Sequence, residues 1–89
     1  MPVARKAVKV MNKQGLHARP AAVFVQVANK FDARVTVMYN EEKINGKSIM
    51  GILMLGAEQG TEIIIEADGK DAEAALVELE KVVSQEDEK

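Results

Sequence analysis

No cysteine occurs in this chain, which excludes a disulfide framework, a thiol nucleophile and a zinc–thiolate centre. Its one histidine, His17, leaves carboxylates and a single imidazole as possible metal ligands, so neither a metal nor a cofactor is expected. Tryptophan is absent and the aromatics are limited to Phe24, Phe31 and Tyr39, too few for a platform on which nucleic-acid bases stack. No stretch approaches the roughly 20 apolar residues of a membrane span. The opening "MPVARKAVKV" also lacks a signal-peptide core, so the expected location is cytoplasmic without membrane insertion.

With 89 residues the chain has room for one domain, expected over 1–89, and not for separate catalytic and substrate domains. The net charge of −2 conceals an uneven distribution. Residues 1–20 carry Arg5, Lys6, Lys9, Lys13 and Arg19 without an acid, whereas residues 70–89 carry seven acids and three lysines. A basic end suits a phosphate or an acidic partner. A nucleic-acid partner is not expected, because the chain is not basic overall.

Apolar alternation over residues 6–12, with Val8 and Val10 on one side, predicts a first strand. From Ala18 the residues Ala21, Phe24, Val25, Ala28 and Phe31 recur at helical spacing as far as Lys30. Pro20 is tolerated only in the first turn of that helix, which sets its start at His17 or Ala18. Strands over 34–39 and 42–45 form a hairpin across "NEE". "IMGILML" follows Ser48, a possible cap, and reads as a short apolar helix ended by Gly56, with a strand as the competing reading. Residues 61–67 alternate as a fourth strand, burying Ile63 and Ile65. Ala72, Ala75, Leu76, Leu79, Val82 and Val83 form a last helical stripe before an acidic tail, 84–89, expected to fray. The order β-α-β-β-α-β-α requires an α+β fold in two layers, with helices covering one face of a four-stranded sheet.

A helix amino terminus presents unpaired N–H groups and partial positive charge, a ready site for an anion. With His17 as cap, the amides of Ala18 and Arg19 are available to a group on its ring, while Pro20 has none to offer. Arg19 adds a guanidinium fork suited to phosphate oxygens, and Lys13 adds charge. A neutral imidazole is a nucleophile near pH 7, and its phosphoramidate has a high transfer potential, which suits a carrier better than a hydrolase. Taken by themselves these residues fit two readings: a phosphoryl landing place, or a histidine that merely caps a helix. No serine or carboxylate neighbours His17 to suggest a triad, and no Walker-type loop is present to suggest a kinase.

"GLHARPA", followed by "KSIMGILMLG" and "GTEIIIEADGKDAEAAL", resembles the HPr family, the histidine-containing phosphocarriers of the bacterial phosphoenolpyruvate-dependent phosphotransferase system. The resemblance runs from about residue 3 to residue 83. It implies an open-faced β-sandwich of four antiparallel strands with three helices on one face. It also implies that His17 accepts phosphate on Nδ1 from phosphorylated enzyme I and passes it to EIIA-type acceptors, with Arg19 steadying the phosphate. Such a carrier is not an enzyme, and a monomer is expected because each partner must reach the His17 face in turn.

Ser48 matches the family's regulatory serine, which an HPr kinase/phosphorylase modifies in some bacteria and which can create a form that binds a transcriptional regulator. Its alternative is that of a plain helix cap. By the same resemblance Ile49, Met50 and Leu53 are assigned to partner contact, and Met54 is left undecided between interface and core. Gln14 and Met54 depart from residues common in sugar-system members. The "ILML" run is also similar to the nitrogen-related branch, NPr, which would use His17 with a parallel set of partners. The catabolite-repression paralogue lacks the histidine, so His17 speaks against it.

Overall fold

The computed structural model describes residues 3–85. Its elements are β1 (Val3–Lys9), α1 (Ala18–Ala28), β2 (Arg34–Tyr39), β3 (Glu42–Asn45), α2 (Ile49–Met54), β4 (Glu62–Asp68) and α3 (Ala72–Ser84). The four strands form one antiparallel sheet in the order β1-β4-β2-β3, with β4 inserted between β1 and β2. The helices cover one face and leave the other open, as the element order required.

β1 differs from its expected span. Its pairing begins at Val3, opposite Asp68, and Lys6 stands at an inward position opposite the buried Ile65. Lys6 hides the alternation, because its stem runs over the sheet edge and its ammonium meets Glu80 of α3 at 2.9 Å. At the other end, Val10 still bonds to the neighbouring turn, but the amide of Met11 donates to the Val83 carbonyl of α3, which draws the chain out of the sheet.

Phe24, Val35, Val37, Ile52, Ile63, Ile65, Leu79 and Val83 fill the space between sheet and helices. Truncating Phe24 to alanine removes a fully buried ring and would cost about 3–5 kcal/mol. Alternation in β4 is as expected, with Ile63 and Ile65 buried and Ile64 facing outward beside Glu62 and Glu66. Tyr39 is half-buried. α1 ends at Ala28 instead of Lys30 because Lys30 and Phe31 donate to carbonyls three residues back, tightening the last turn. Ser84 remains helical, while residues 86–89 of the acidic tail lie outside the described residues.

Two loop features carry measurable energy. Tyr39 pairs with Glu42 across a two-residue loop in which Asn40 and Glu41 have φ of 52° and 68°, the signature of a type I′ hairpin turn. Asparagine tolerates that region and glutamate does not. Asp71, which precedes α3, accepts the amides of Asp32 (2.8 Å) and Ala33 (2.9 Å) and so ties the α1–β2 loop to α3. The Asp32 amide is the largest influence holding its carboxyl below the usual aspartate range, with the Ala33 amide, its own amide and Lys47 acting the same way and burial opposing them.

Glu41→Gly is expected to raise stability by about 1 kcal/mol by relieving the left-handed residue, as read from urea midpoints. A depressed carboxyl pKa stabilises the fold above the unfolded-state value, and that contribution disappears as pH falls through the folded-state value. Asp71→Asn should therefore lower the midpoint at pH 7 and flatten its fall as the pH drops below the ordinary aspartate range, where the wild-type carboxyl takes up its proton.

Candidate functional site

The chain approaches α1 through a loop held from both sides. The carbonyl of Asn12 accepts the amide of Gly15 (2.9 Å), and the carbonyl of Gly15 accepts that of His17 (2.9 Å). Gly15 has φ of +71°, and a Cβ there would run into the Ala57 carbonyl. That same carbonyl accepts the amide of buried Leu16 at 3.0 Å, so the residue before His17 is fixed both by its side chain and by its backbone.

His17 is the N-cap of α1, with φ −82° and ψ −166°, and its carbonyl accepts the first helical bond, from Ala21 at 3.0 Å. Its side chain makes no cap bond to the helix. The ring is half-exposed, with Nε2 out of contact with solvent. The amides of Ala18 and Arg19 precede the first helical bond, and Pro20 has no amide hydrogen. Ala18, Arg19 and Lys13 are exposed, and the first turn holds no acid to offset the positive end of the helix. The arrangement can hold an anion beside a nucleophilic imidazole.

The second motif is a helix and not a strand. Ser48 Oγ accepts the Gly51 amide at 3.0 Å, and Gly56, with φ of +64°, closes the far end just beyond Leu55. α2 packs on α1 and β3, inserting Ile52 into the core. Ala57, three residues after α2, supplies the carbonyl that holds Leu16, and this bond brings the two motifs together. Ser48 lies at the opposite end of α2, about 9 Å along its axis.

Of the residues expected to meet partners, Ile49 and Met50 are 44% and 66% exposed, whereas Leu53 is half-buried against the core. Met54, undecided in the sequence, is 73% exposed. Met50 and Met54 are four residues apart and so adjoin on one helix face, a spacing by which Met54 could have been found. Asn12 was missed, since it reads as a loop polar residue; its 3% exposure follows from contacts remote in sequence.

An open-faced sheet with a histidine at a helix cap defines a class of small protein, and the chain is similar to its members in sequence and in structure. Residues 4–85 match the family described as the PTS HPr component phosphorylation site. The phosphocarrier protein HPr of Neisseria meningitidis serogroup A is 41% identical over 80 residues, 90% of either chain. The crystal structure of HPr from Bacillus anthracis superposes with a TM-score of 0.89 at 44% identity, covering 93% of this chain and 99% of that one. Crh, the catabolite-repression protein of Bacillus subtilis described as a swapped dimer, is 46% identical with a TM-score of 0.74, covering 85% and 87%. The chain therefore belongs to the HPr family of phosphocarrier proteins of the phosphotransferase system.

Ser48→Ala should cost about 1 kcal/mol of stability, because the Gly51 amide loses its acceptor. Ser48→Asp, which keeps a capping oxygen, should stay within about 0.5 kcal/mol of wild type in the same urea titration.

Proposed function

We propose that this chain is a phosphocarrier that accepts a phosphoryl group on His17 from phosphorylated enzyme I and hands it to EIIA-type acceptors in sugar uptake. The observation that carries this reading is the position of His17: its carbonyl starts α1, while its side chain leaves the amides of Ala18 and Arg19 to other acceptors. Withdrawal of Nε2 from solvent favours Nδ1 as the reacting nitrogen. In the transfer, the neutral nitrogen attacks phosphorus in line. The N–P bond forms as the donor's bond to phosphorus breaks, and the electron pair of that bond leaves with the donor. The guanidinium of Arg19 and the two amides then balance the phosphate charge, and passage to the acceptor is the same step reversed on a new nucleophile.

Ile49, Met50 and Met54 supply the apolar part of the docking surface, with flexible thioethers that adapt to more than one partner. Ser48 is the proposed regulatory site. A phosphate there adds nearly two negative charges at the start of α2, favouring the helix and repelling an acidic partner. The kinase/phosphorylase and a transcriptional regulator are its corresponding partners. Met54, where many sugar-system members carry serine, is the residue behind the alternative reading, a carrier of the nitrogen-related branch.

Incubation with phosphoenolpyruvate and enzyme I, in parallel with the nitrogen-branch counterpart, tests this by intact-mass detection of acid-labile phosphate. His17→Ala should take no label from either enzyme while retaining the fold, and full labelling of that variant would end the carrier reading. Arg19→Ala should slow transfer at least tenfold, and an unchanged rate would remove the arginine from the site. Faster labelling by one enzyme assigns the branch.

A further inference from the structure

Asn12 is the one buried polar residue among the described residues, and its backbone and its side chain engage different parts of the fold. Its Nδ2 donates to the carbonyls of Val82 (3.2 Å) and Gln85 (3.1 Å), using both amide hydrogens on the last turn of α3. The adjoining Met11 amide donates to Val83. A helix end leaves its final carbonyls without partners inside the helix, and α3 has no glycine there to fold the chain back over them. The segment leading to His17 performs that capping from outside. On its other side the carbonyl of Asn12 accepts Gly15, whose carbonyl accepts His17.

The Oδ1 of Asn12 is buried with no hydrogen-bond partner among the described residues. Exchanging the oxygen and nitrogen would satisfy nothing, because an oxygen would then face two carbonyls. The two donor bonds thus hold the carboxamide in one orientation against the end of α3.

We infer that Asn12 is a positioning residue for phosphoryl transfer, fixing the His17 loop to the carboxyl end of α3 through its side chain and to Gly15 through its backbone. This rests on the phosphocarrier reading for its kinetic consequence, but not for its geometry. Moving Asn12 moves Gly15, and with it the backbone that sets the imidazole at the head of α1.

Because His17 is the only histidine, its ring signals are unambiguous in a nitrogen-15 NMR spectrum. Asn12→Ala removes both donors, and Asn12→Asp removes them while keeping the side chain's size. Each should shift the ring signals of His17 and the amides of Gly15 and Leu16, and leave those of Val35 and Ile65 in place. Each should also lower the maximal rate of labelling by enzyme I at least tenfold without raising the concentration of this chain that gives half-maximal rate. Asp71→Asn, which weakens the fold at a distant contact, is the control and should leave both readouts unchanged. In wild type, phosphorylation of His17 should shift the side-chain amide of Asn12, a measurement that needs no variant to fold. Ring and loop signals that superpose on wild type in both variants, or a rate lowered equally by Asp71→Asn, would overturn the inference. If wild type takes no phosphate, the carrier reading fails by itself, and the spectra of the variants still decide whether Asn12 positions His17.

Discussion

The insertion of β4 between β1 and β2 is the constraint from which the geometry near His17 follows. Because β4 runs antiparallel to both neighbours, the turn that feeds it must arrive at the end of β1, where Gly60 donates to Val10 and Val10 donates to Thr61. That turn carries Ala57 to Leu16. Slipping the register of β4 by one residue would turn Ile63 and Ile65 outward and Glu62 and Glu66 inward, so the whole core defends the placement of one carbonyl.

A carrier has to expose its reactive group to several partners without letting it wander. Here the exposed part is small: one half-exposed ring, the first turn of α1, and a methionine ridge on a six-residue helix. Everything immediately behind it is tied down, by Leu16 to Ala57, by Gln59 to the Met11 carbonyl, and by Asn12 to α3. The proposed role sets two kinds of recognition side by side. Fixed amides and a guanidinium suit a compact anion, and a soft apolar ridge suits proteins of differing shape.

Much of the architecture was legible from local pattern. β2 and β3 have the expected bounds, the cap at Ser48 and Gly56 correctly mark a helix, and Pro20 locates the start of α1, since each is a nearest-neighbour effect of backbone geometry. Lys6 misled the pattern because a long side chain can occupy an inward position and still place its charge at Glu80. The candidate site at His17 was visible as a capping histidine followed by arginine, but spacing by itself favoured a plain cap. Family resemblance favoured the phosphoryl reading, and the comparisons show membership of the HPr phosphocarrier family.

The chain by itself determined which residues could be buried, where helices could begin and end, and which nucleophile was available, because periodicity, capping and side-chain chemistry act within a few residues. Only the tertiary structure decided that Asn12 reaches across to Val82 and Gln85, that Asp71 gathers the loop at Asp32, and that Leu53 turns inward while Met54 turns outward. These depend on contacts between segments tens of residues apart. Such contacts exist only once the buried faces of sheet and helices have closed on each other, and hydrophobic burial, which drives that closure, has no direction of its own.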